Sequence, residues 1–168
     1  MRTHTVIDSV LGPLTIVAED GKIRCLYMDL QRHRPGDNEL GAPEPRGRDA
    51  EPLRAAADQL DAYFAGELMT FNLPLAPRGS EFQLRVWTAL REIPYGQTES
   101  YGELAERIGS PGSTRAVGLA NGKNPIGVII PCHRVVGSDG SLIGYGGGLD
   151  RKRRLLDLEM AVSGAALF

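Results

Sequence analysis

The chain is poor in the residues that staple small secreted domains or anchor a protein in a membrane. It has two cysteines, Cys25 and Cys132, in 168 residues, which is too few for a disulfide framework and typical of a reducing cytosol. No apolar run approaches the ~20 residues that span a bilayer, and the N-terminus lacks the apolar segment of a signal peptide, so we expect neither a membrane nor a secreted location. The His and Cys residues show no CxxC or HxxxH spacing, so we expect no metal and no cofactor.

Charge is nearly balanced overall, at a net −2, but it is unevenly distributed along the chain. Residues 1–76 carry 8 Lys and Arg against 12 Asp and Glu, whereas residues 77–168 carry 11 against 9. This basic excess in the second half is only a weak indication of a polyanionic partner, since a large basic patch normally gives a domain pI above ~9. Any binding to nucleic acid should therefore be modest and sensitive to salt.

The sequence predicts two domains, residues 1–76 and 77–168. In the first, short apolar runs separated by Gly-Pro and Asp-Gly turn signals predict an antiparallel meander of strands. A Pro- and Gly-rich stretch then predicts a mobile loop, apolar residues at helical spacing predict a helix, and a short apolar stretch predicts one more strand. These three elements are assigned to residues 31–48, 50–66 and 71–73, and the linker to residues 74–79.

The second domain is predicted to be mostly helical, which makes the fold class α+β. Two helix N-termini have the spacing of a capping box: Ser80 with Gln83, and Ser100 with Glu103. Gly109 then marks a tight turn, and we expect Ser110 to be the N-cap of another helix that ends at Gly122. Two short helices across a glycine turn are typical of a helix-turn-helix.

The second helix of this pair is unusual for one that reads DNA bases. It offers Ala116, Gly118 and Ala120, with Arg115 as its only long cation, whereas a major-groove helix usually projects long polar side chains. Small residues suit close, shape-based contact with the minor groove. A tightly packed internal helix is an equally good interpretation, and Gly118, which costs roughly 1 kcal/mol relative to Ala, indicates a packing or binding reason in either case.

Cys132 and His133 are the most informative pair in the chain. A thiol attacks carbon as its thiolate, and a neighbouring base or positive charge makes that form accessible. The apolar residues 127–130 predict a buried strand that leads to the pair, and Pro131 restricts the backbone before it. On an extended segment adjacent side chains point to opposite faces, so the pattern does not require direct Cys–His contact. A lone cysteine is usually a buried small hydrophobe, but this setting favours a functional thiol.

Two other segments near the C-terminus carry weaker signals. Residues 144–148, Gly-Tyr-Gly-Gly-Gly, predict a loop that lines a pocket beside the cysteine, since they do not follow a phosphate-loop pattern. Residues 151–154 are four consecutive cations, for which a solvated helix face is favoured over a phosphate contact. A zinc site from His4, Cys25 and His33 stays open, although it needs a fourth ligand.

The chain resembles the O6-alkylguanine-DNA alkyltransferases. Residues 131–135, Pro-Cys-His-Arg-Val, match the active-site signature of that family. Further matches occur in the same order and spacing at residues 100–105, 115–118, 124–125 and 144–148. The resemblance is strong over residues 80–160 and covers residues 1–76 only in general layout. It implies a small ribonuclease-H-like α/β domain, then a mostly helical winged helix-turn-helix domain.

The resemblance also implies a function, the direct reversal of DNA damage. Cys132 would irreversibly take the alkyl group from O6-alkylguanine, and also from O4-alkylthymine, once per molecule after the nucleotide is flipped out of the duplex. His133 would act as a base through water, Glu159 would orient His133, Asn124 would hold the turn before the cysteine, and Tyr145 would donate to the purine. The residues implied in contact with DNA or guanine are Tyr101, Arg115, Ala116, Gly118, Asn121, Val135 and Gly146.

The implied partner is double-stranded DNA, bound through the minor groove by a cytoplasmic monomer, with cooperative binding along DNA left open. Two alternatives remain at this point. A thiol hydrolase or peptidase would use Cys132 and His133 but would have no use for a helix-turn-helix. A non-enzymatic DNA-damage-binding protein would use the helix-turn-helix but would not need the cysteine.

Overall fold

The computed structural model describes residues 1–31, 36 and 39–165, which fall into two compact units divided between Arg78 and Gly79. The predicted boundary after residue 76 lies close to this division. No helix within the described residues is long and apolar enough to cross a membrane.

The first unit is built from a sheet and one long helix. Its elements are β1 (Arg2–Ile7), β2 (Leu14–Glu19), β3 (Lys22–Met28), β4 (Ala42–Pro43) and α1 (Leu53–Phe64). The strand order is β3-β2-β1-β4, in which β1, β2 and β3 are antiparallel neighbours and β4 is parallel to β1. The predicted meander and the predicted helix are therefore confirmed.

Helix α1 contacts β1 and β2 through an apolar stripe. The buried residues of the stripe recur at helical spacing: Leu53, Ala56, Ala57, Leu60 and Tyr63. On the sheet, Leu14, Ile16 and Ile23 are fully buried. The core of this unit therefore lies between helix and sheet. Each large apolar side chain that it removes from water contributes about 1.5–3 kcal/mol to stability.

The described part of the predicted loop 31–48 contains regular structure. Ala42 and Pro43 pair with Thr3 and His4, and residues 47–49 form a 3-10 turn before α1. The remaining loop residues that are not described include His33, so the predicted zinc ligand at that position lies outside the described residues.

The strand predicted at residues 71–73 is wrong. The backbone N–H and C=O of Asn72 are both taken by the Gln59 side chain of α1, at 2.8 and 3.0 Å, which leaves this stretch without a strand partner. Pairing occurs slightly later, where Ile23 donates to Pro74 O at 2.8 Å and accepts from Ala76 N at 2.9 Å.

The second unit is mostly helical, as predicted. Its elements are α2 (Glu81–Leu90), β5 (Glu99–Ser100), α3 (Tyr101–Arg107), α4 (Thr114–Gly122), β6 (Val135–Val136) and α5 (Leu149–Ala165). Both predicted capping boxes are present, at the starts of α2 and α3. Helices α3 and α4 pack together, Trp87 Nε1 of α2 donates to Ala120 O of α4 at 2.8 Å, and β5 pairs in parallel with β6.

Two local predictions for this unit are wrong. Helix α4 begins at Thr114 with Ser113 as N-cap, not after Ser110, because Gly112 has a left-handed φ of +93° that no α-helix can continue through. Residues 127–130 are buried but form turns instead of a strand, with Val128 at a φ of +68°.

Candidate active site

The turn before the cysteine is held by one side chain. Asn124 Oδ1 accepts from Ile126 N at 3.0 Å, and Asn124 Nδ2 donates to Ile130 O at 2.8 Å. Ile130 N in turn donates to Ile126 O at 3.0 Å. The buried amide thus supplies the hydrogen bonds that a neighbouring strand would otherwise supply, and residues 124–131 bring Cys132 into the interior as a compact set of turns.

Cys132 starts a 3-10 turn, Cys132–Arg134, that leads directly into β6. The thiol is 6% exposed, and Asn121 Nδ2 donates to Cys132 O at 3.3 Å. Burial raises the pKa of the Cys132 thiol, and the hydrogen bond from Asn124 and the charge of Lys152 only partly oppose this rise. The resting thiol is therefore protonated and needs a base to remove its proton.

His133, Arg134 and Glu159 form a buried cluster beside the thiol. His133 Nε2 lies 2.7 Å from Glu159 Oε2. Arg134 Nε donates to Glu159 Oε1 at 2.8 Å, and Arg134 Nη2 donates to Glu159 Oε2 at 3.0 Å. His133 and Glu159 are 0% exposed and Arg134 is 7% exposed, so water screens these contacts little.

The charge states of this cluster follow from its contacts. Burial alone would raise the pKa of Glu159, but hydrogen bonds from His133 and Arg134 and the positive charge of Arg134 outweigh it and lower that pKa to about 2. Burial also lowers the pKa of His133, despite the opposing effect of Glu159, so the imidazole is neutral. Because an ionised carboxylate can only accept, we assign the imidazole proton to Nε2. Nδ1 is then a buried acceptor without a hydrogen-bond partner among the described residues.

Tyr145 supplies a second buried polar group, a hydroxyl that is available for a hydrogen bond to a ligand. Its side chain is 7% exposed, and within the described part of the chain its hydroxyl has no hydrogen-bond partner. Burial raises its pKa well above the ordinary value, so the hydroxyl stays protonated and can donate. Gly146 follows on the same loop, and Val135 lies fully buried at the start of β6.

Lys152 corrects the interpretation of residues 151–154 as a solvated face. It is 0% exposed, and its Nζ donates to Ile143 O at 2.9 Å and to Gly144 O at 3.1 Å. Burial lowers its pKa to about 8, and the thiolate form of Cys132 would act in the opposite direction. Its helical spacing with the buried Leu155 and Glu159 was the available sequence signal, since these positions share one face of a helix.

The outer face of α4 is exposed to solvent. Arg115 and Ala116 are exposed, and Gly118 lies against the Tyr101 ring, since an added Cβ would be 3.8 Å from its Cδ1. The Tyr101 hydroxyl donates to Ile143 O at 2.8 Å. Asn121, in contrast, is 3% exposed and faces the interior near Cys132, so the structure places it apart from this exposed face.

No group of three His, Cys, Asp or Glu side chains that could hold a metal ion occurs among the residues with a described placement. Of the zinc ligands left open by the sequence, His4 Nδ1 lies 3.1 Å from Gly41 O, and His33 is not described.

The fold and the site together define a class, a helix-turn-helix protein with a buried cysteine next to a buried cluster of a histidine, a glutamate and an arginine. Comparison with known families then identifies the family. The DNA-binding domain of 6-O-methylguanine DNA methyltransferase matches residues 81–161, and the ribonuclease-like domain of the same family matches residues 3–77. The chain belongs to the 6-O-methylguanine DNA methyltransferase family.

Relatives match nearly the whole chain. A methylated-DNA–protein-cysteine methyltransferase of Mycolicibacterium paratuberculosis is 52% identical over 168 residues, 99% of this chain and 98% of the relative. The protein of the same name from Methanosarcina acetivorans is 46% identical over 93% of this chain and 97% of its own length. The crystal structure of Mycobacterium tuberculosis OGT in complex with DNA is 51% identical, with a TM-score of 0.88 over 95% of this chain and 94% of that one.

Proposed function

We propose that this protein repairs DNA by transferring the alkyl group of O6-alkylguanine, and of O4-alkylthymine, to Sγ of its own Cys132. The observation that carries the proposal is the buried Cys132 beside a neutral His133 that Glu159 holds by one ring nitrogen, in a chain of this family. A bond forms between Sγ and the alkyl carbon as the bond between that carbon and O6 breaks. The product is a thioether, which is chemically stable, so each molecule reacts once.

The proton balance of this step uses His133 and Tyr145. His133 Nδ1 is a buried acceptor, and it takes the thiol proton through water as Sγ attacks. The buried, protonated hydroxyl of Tyr145 donates to the purine, so that guanine leaves without full negative charge. Lys152, through its charge near the sulfur, stabilises the thiolate that forms in between.

The guanine O6 atom lies inside the duplex, so the nucleotide has to leave the base stack before the thiol can reach it. Flipping costs a few kcal/mol, and less for a damaged base that pairs poorly. Ala116 is exposed on α4 and Gly118 is half-buried, and such small residues suit close approach in the minor groove. Arg115, exposed on the same helix, fills the gap left in the stack. Tyr101 contacts the rotated phosphate only after its hydroxyl releases Ile143 O.

The experiment is intact-mass analysis after incubation of the protein with duplex DNA that carries O6-methylguanine. We expect the mass of one methyl group on the peptide that contains Cys132, and no more than one transfer per molecule. Cys132→Ala should abolish the transfer. The matched control is Cys25→Ala, which removes the chain's other free thiol from the first unit and should leave the transfer intact.

The alternatives give different results in the same experiment. Repeated turnover of acyl or peptide substrates would indicate a thiol hydrolase. Tight binding to damaged duplex without any mass change, unaffected by Cys132→Ala, would indicate a protein that only binds damage. We expect a monomer, which sedimentation with and without DNA can test. A cytoplasmic location also remains a prediction.

A further inference from the structure

We propose that Arg134 is a positioning residue of this site, whose guanidinium fixes Glu159 and opposes protonation of His133, so that His133 waits as a neutral base. The proposal rests on the function proposed above. Arg134 reaches no substrate, and it acts only through Glu159 and His133.

The guanidinium is held from several sides. Two of its N–H groups engage both oxygens of Glu159, in the fork geometry that Arg forms with carboxylates. Its third nitrogen, Nη1, donates to Ile93 O at 2.6 Å. The guanidinium carbon lies 5.6 Å from the centre of the Tyr95 ring. With these contacts made inside the protein, Arg134 has little freedom to turn away from Glu159.

Glu159 is in turn fully engaged. Its Oε2 accepts from both His133 and Arg134, and its Oε1 accepts from Arg134 and, at 3.3 Å, from the backbone N–H of Gly96. The carboxylate therefore cannot rotate away from His133 without losing hydrogen bonds to Arg134. Its role is to hold the imidazole in one tautomer, with Nδ1 directed away from it.

Charge balance gives the second effect of Arg134. A carboxylate alone beside a buried histidine would favour the imidazolium, because an opposite charge within ~4–6 Å shifts a pKa by about 1–3 units. Here the charge of Glu159 is already neutralised by Arg134. Protonation of His133 would leave one uncompensated positive charge in the interior, which is strongly disfavoured.

Charged and titratable groups face His133 from α5, from its own turn and from the segment before β5. Helix α5 contributes Glu159 and also Lys152, whose positive charge likewise disfavours the imidazolium. The turn that carries His133 contributes Cys132 and Arg134. Tyr95 contacts the cluster from the segment before β5, through the guanidinium of Arg134.

A purely structural role predicts a different behaviour. If Arg134 only tied its turn to α5, its loss would lower stability and slow the reaction equally at all pH values. If it tunes His133, its loss should displace the pH dependence. The pH profile separates these possibilities.

The first experiment measures single-turnover reaction with free O6-benzylguanine from pH 5 to about pH 9, because a free base needs no DNA binding or flipping. In Arg134→Gln we expect the acidic limb of the rate profile to move upward by about one pH unit or more. Arg134→Lys, which keeps the charge, should move it much less. The matched control is Arg153→Gln, which removes an exposed cation of α5 and should leave the profile in place. Profiles of Arg134→Gln and wild type that differ only in height would overturn the proposal.

The second experiment follows His133 directly by NMR, and it does not depend on activity. The chain has only three histidines, and His133→Gln assigns the signal of interest. In the wild type we expect the Nε2–H tautomer and titration below the ordinary value of about 6.5. Titration at or above that value would overturn the role given to Arg134. A wild type that transfers no alkyl group would refute the proposed function instead, and the NMR result could still overturn the inference.

Discussion

Glu159 should make the folded protein strongly sensitive to acid. Its carboxylate ionises with a pKa of about 2 instead of the ordinary 4.5, since hydrogen bonds from His133 and Arg134 outweigh the effect of burial. Below pH 4.5 the unfolded chain binds a proton at this position while the folded chain does not, so stability falls as pH falls. The contribution of Glu159 is fully present above the unfolded pKa and is lost as the pH falls toward the folded value.

The magnitude follows from the shift. A difference of about 2.5 pKa units at about 1.4 kcal/mol each gives a stabilisation of about 3 kcal/mol. That is a large share of the 5–15 kcal/mol that typically holds a domain folded. His133 acts with the same sign, because its pKa is lowered on folding and acidification through its unfolded pKa also favours the unfolded chain. Together they predict acid unfolding of the second unit.

The assay is urea unfolding of wild type and Glu159→Gln at pH 7, 5 and 3. We expect Glu159→Gln to be less stable at pH 7 and to lose less further stability between pH 5 and 3, because Gln does not titrate. Glu67→Gln is the control, since Glu67 is exposed and its substitution should leave the pH dependence of wild type unchanged. Parallel loss of stability in wild type and Glu159→Gln over this range would refute the reasoning.

Three further predictions concern glycine positions and helix α4. Gly96→Ala should destabilise more than Gly109→Ala in thermal melts: both have left-handed φ values, +78° and +80°, which cost about 1–2 kcal/mol, but only at Gly96 would the new Cβ overlap Ser163 Oγ. Adding Ser163→Gly should recover part of the difference. Gly118→Ala should stabilise α4 by up to about 1 kcal/mol in urea unfolding yet slow the reaction with duplex DNA. Arg115→Ala should slow reaction with duplex far more than with free O6-benzylguanine, and equal losses would contradict its role in flipping.

Local signals in the sequence predict the elements that depend on local physics. The capping boxes at Ser80 and Ser100 and the apolar stripe of α1 are confirmed because each is set by residues a few positions apart. The failures come where tertiary contacts decide. Residues 127–130 are as apolar as a buried strand, but the Asn124 side chain bonds Ile126 N and Ile130 O at the two ends of this segment and holds it as turns. Asn72 is kept out of a strand by Gln59, 13 residues away.

The same distinction applies to the site. Resemblance points to Cys132, His133 and Glu159, but no sequence pattern shows that Arg134 reaches a carboxylate 25 residues later. The prediction of a solvated face for residues 151–154 is wrong at Lys152, because helical spacing turns this one of the four cations toward the interior. A buried lysine can be inferred from a sequence only once the helix and its buried face are known.

The state of Cys132 also bears on why the site carries so many buried charges. A thiol that turns over repeatedly gains from a low pKa, because a standing thiolate is ready for each new substrate. A thiol that is consumed by its first reaction gains from a high pKa instead, since a standing thiolate that reacts with any other electrophile leaves the molecule permanently inactive. Burial that raises the pKa of Cys132 gives this protection. The proton must then be removed only when a substrate is in place, and that requires a neutral base at rest. Burial and the charge of Arg134 together hold His133 neutral beside an ionised Glu159, so the cluster suits a thiol that reacts once better than one that turns over.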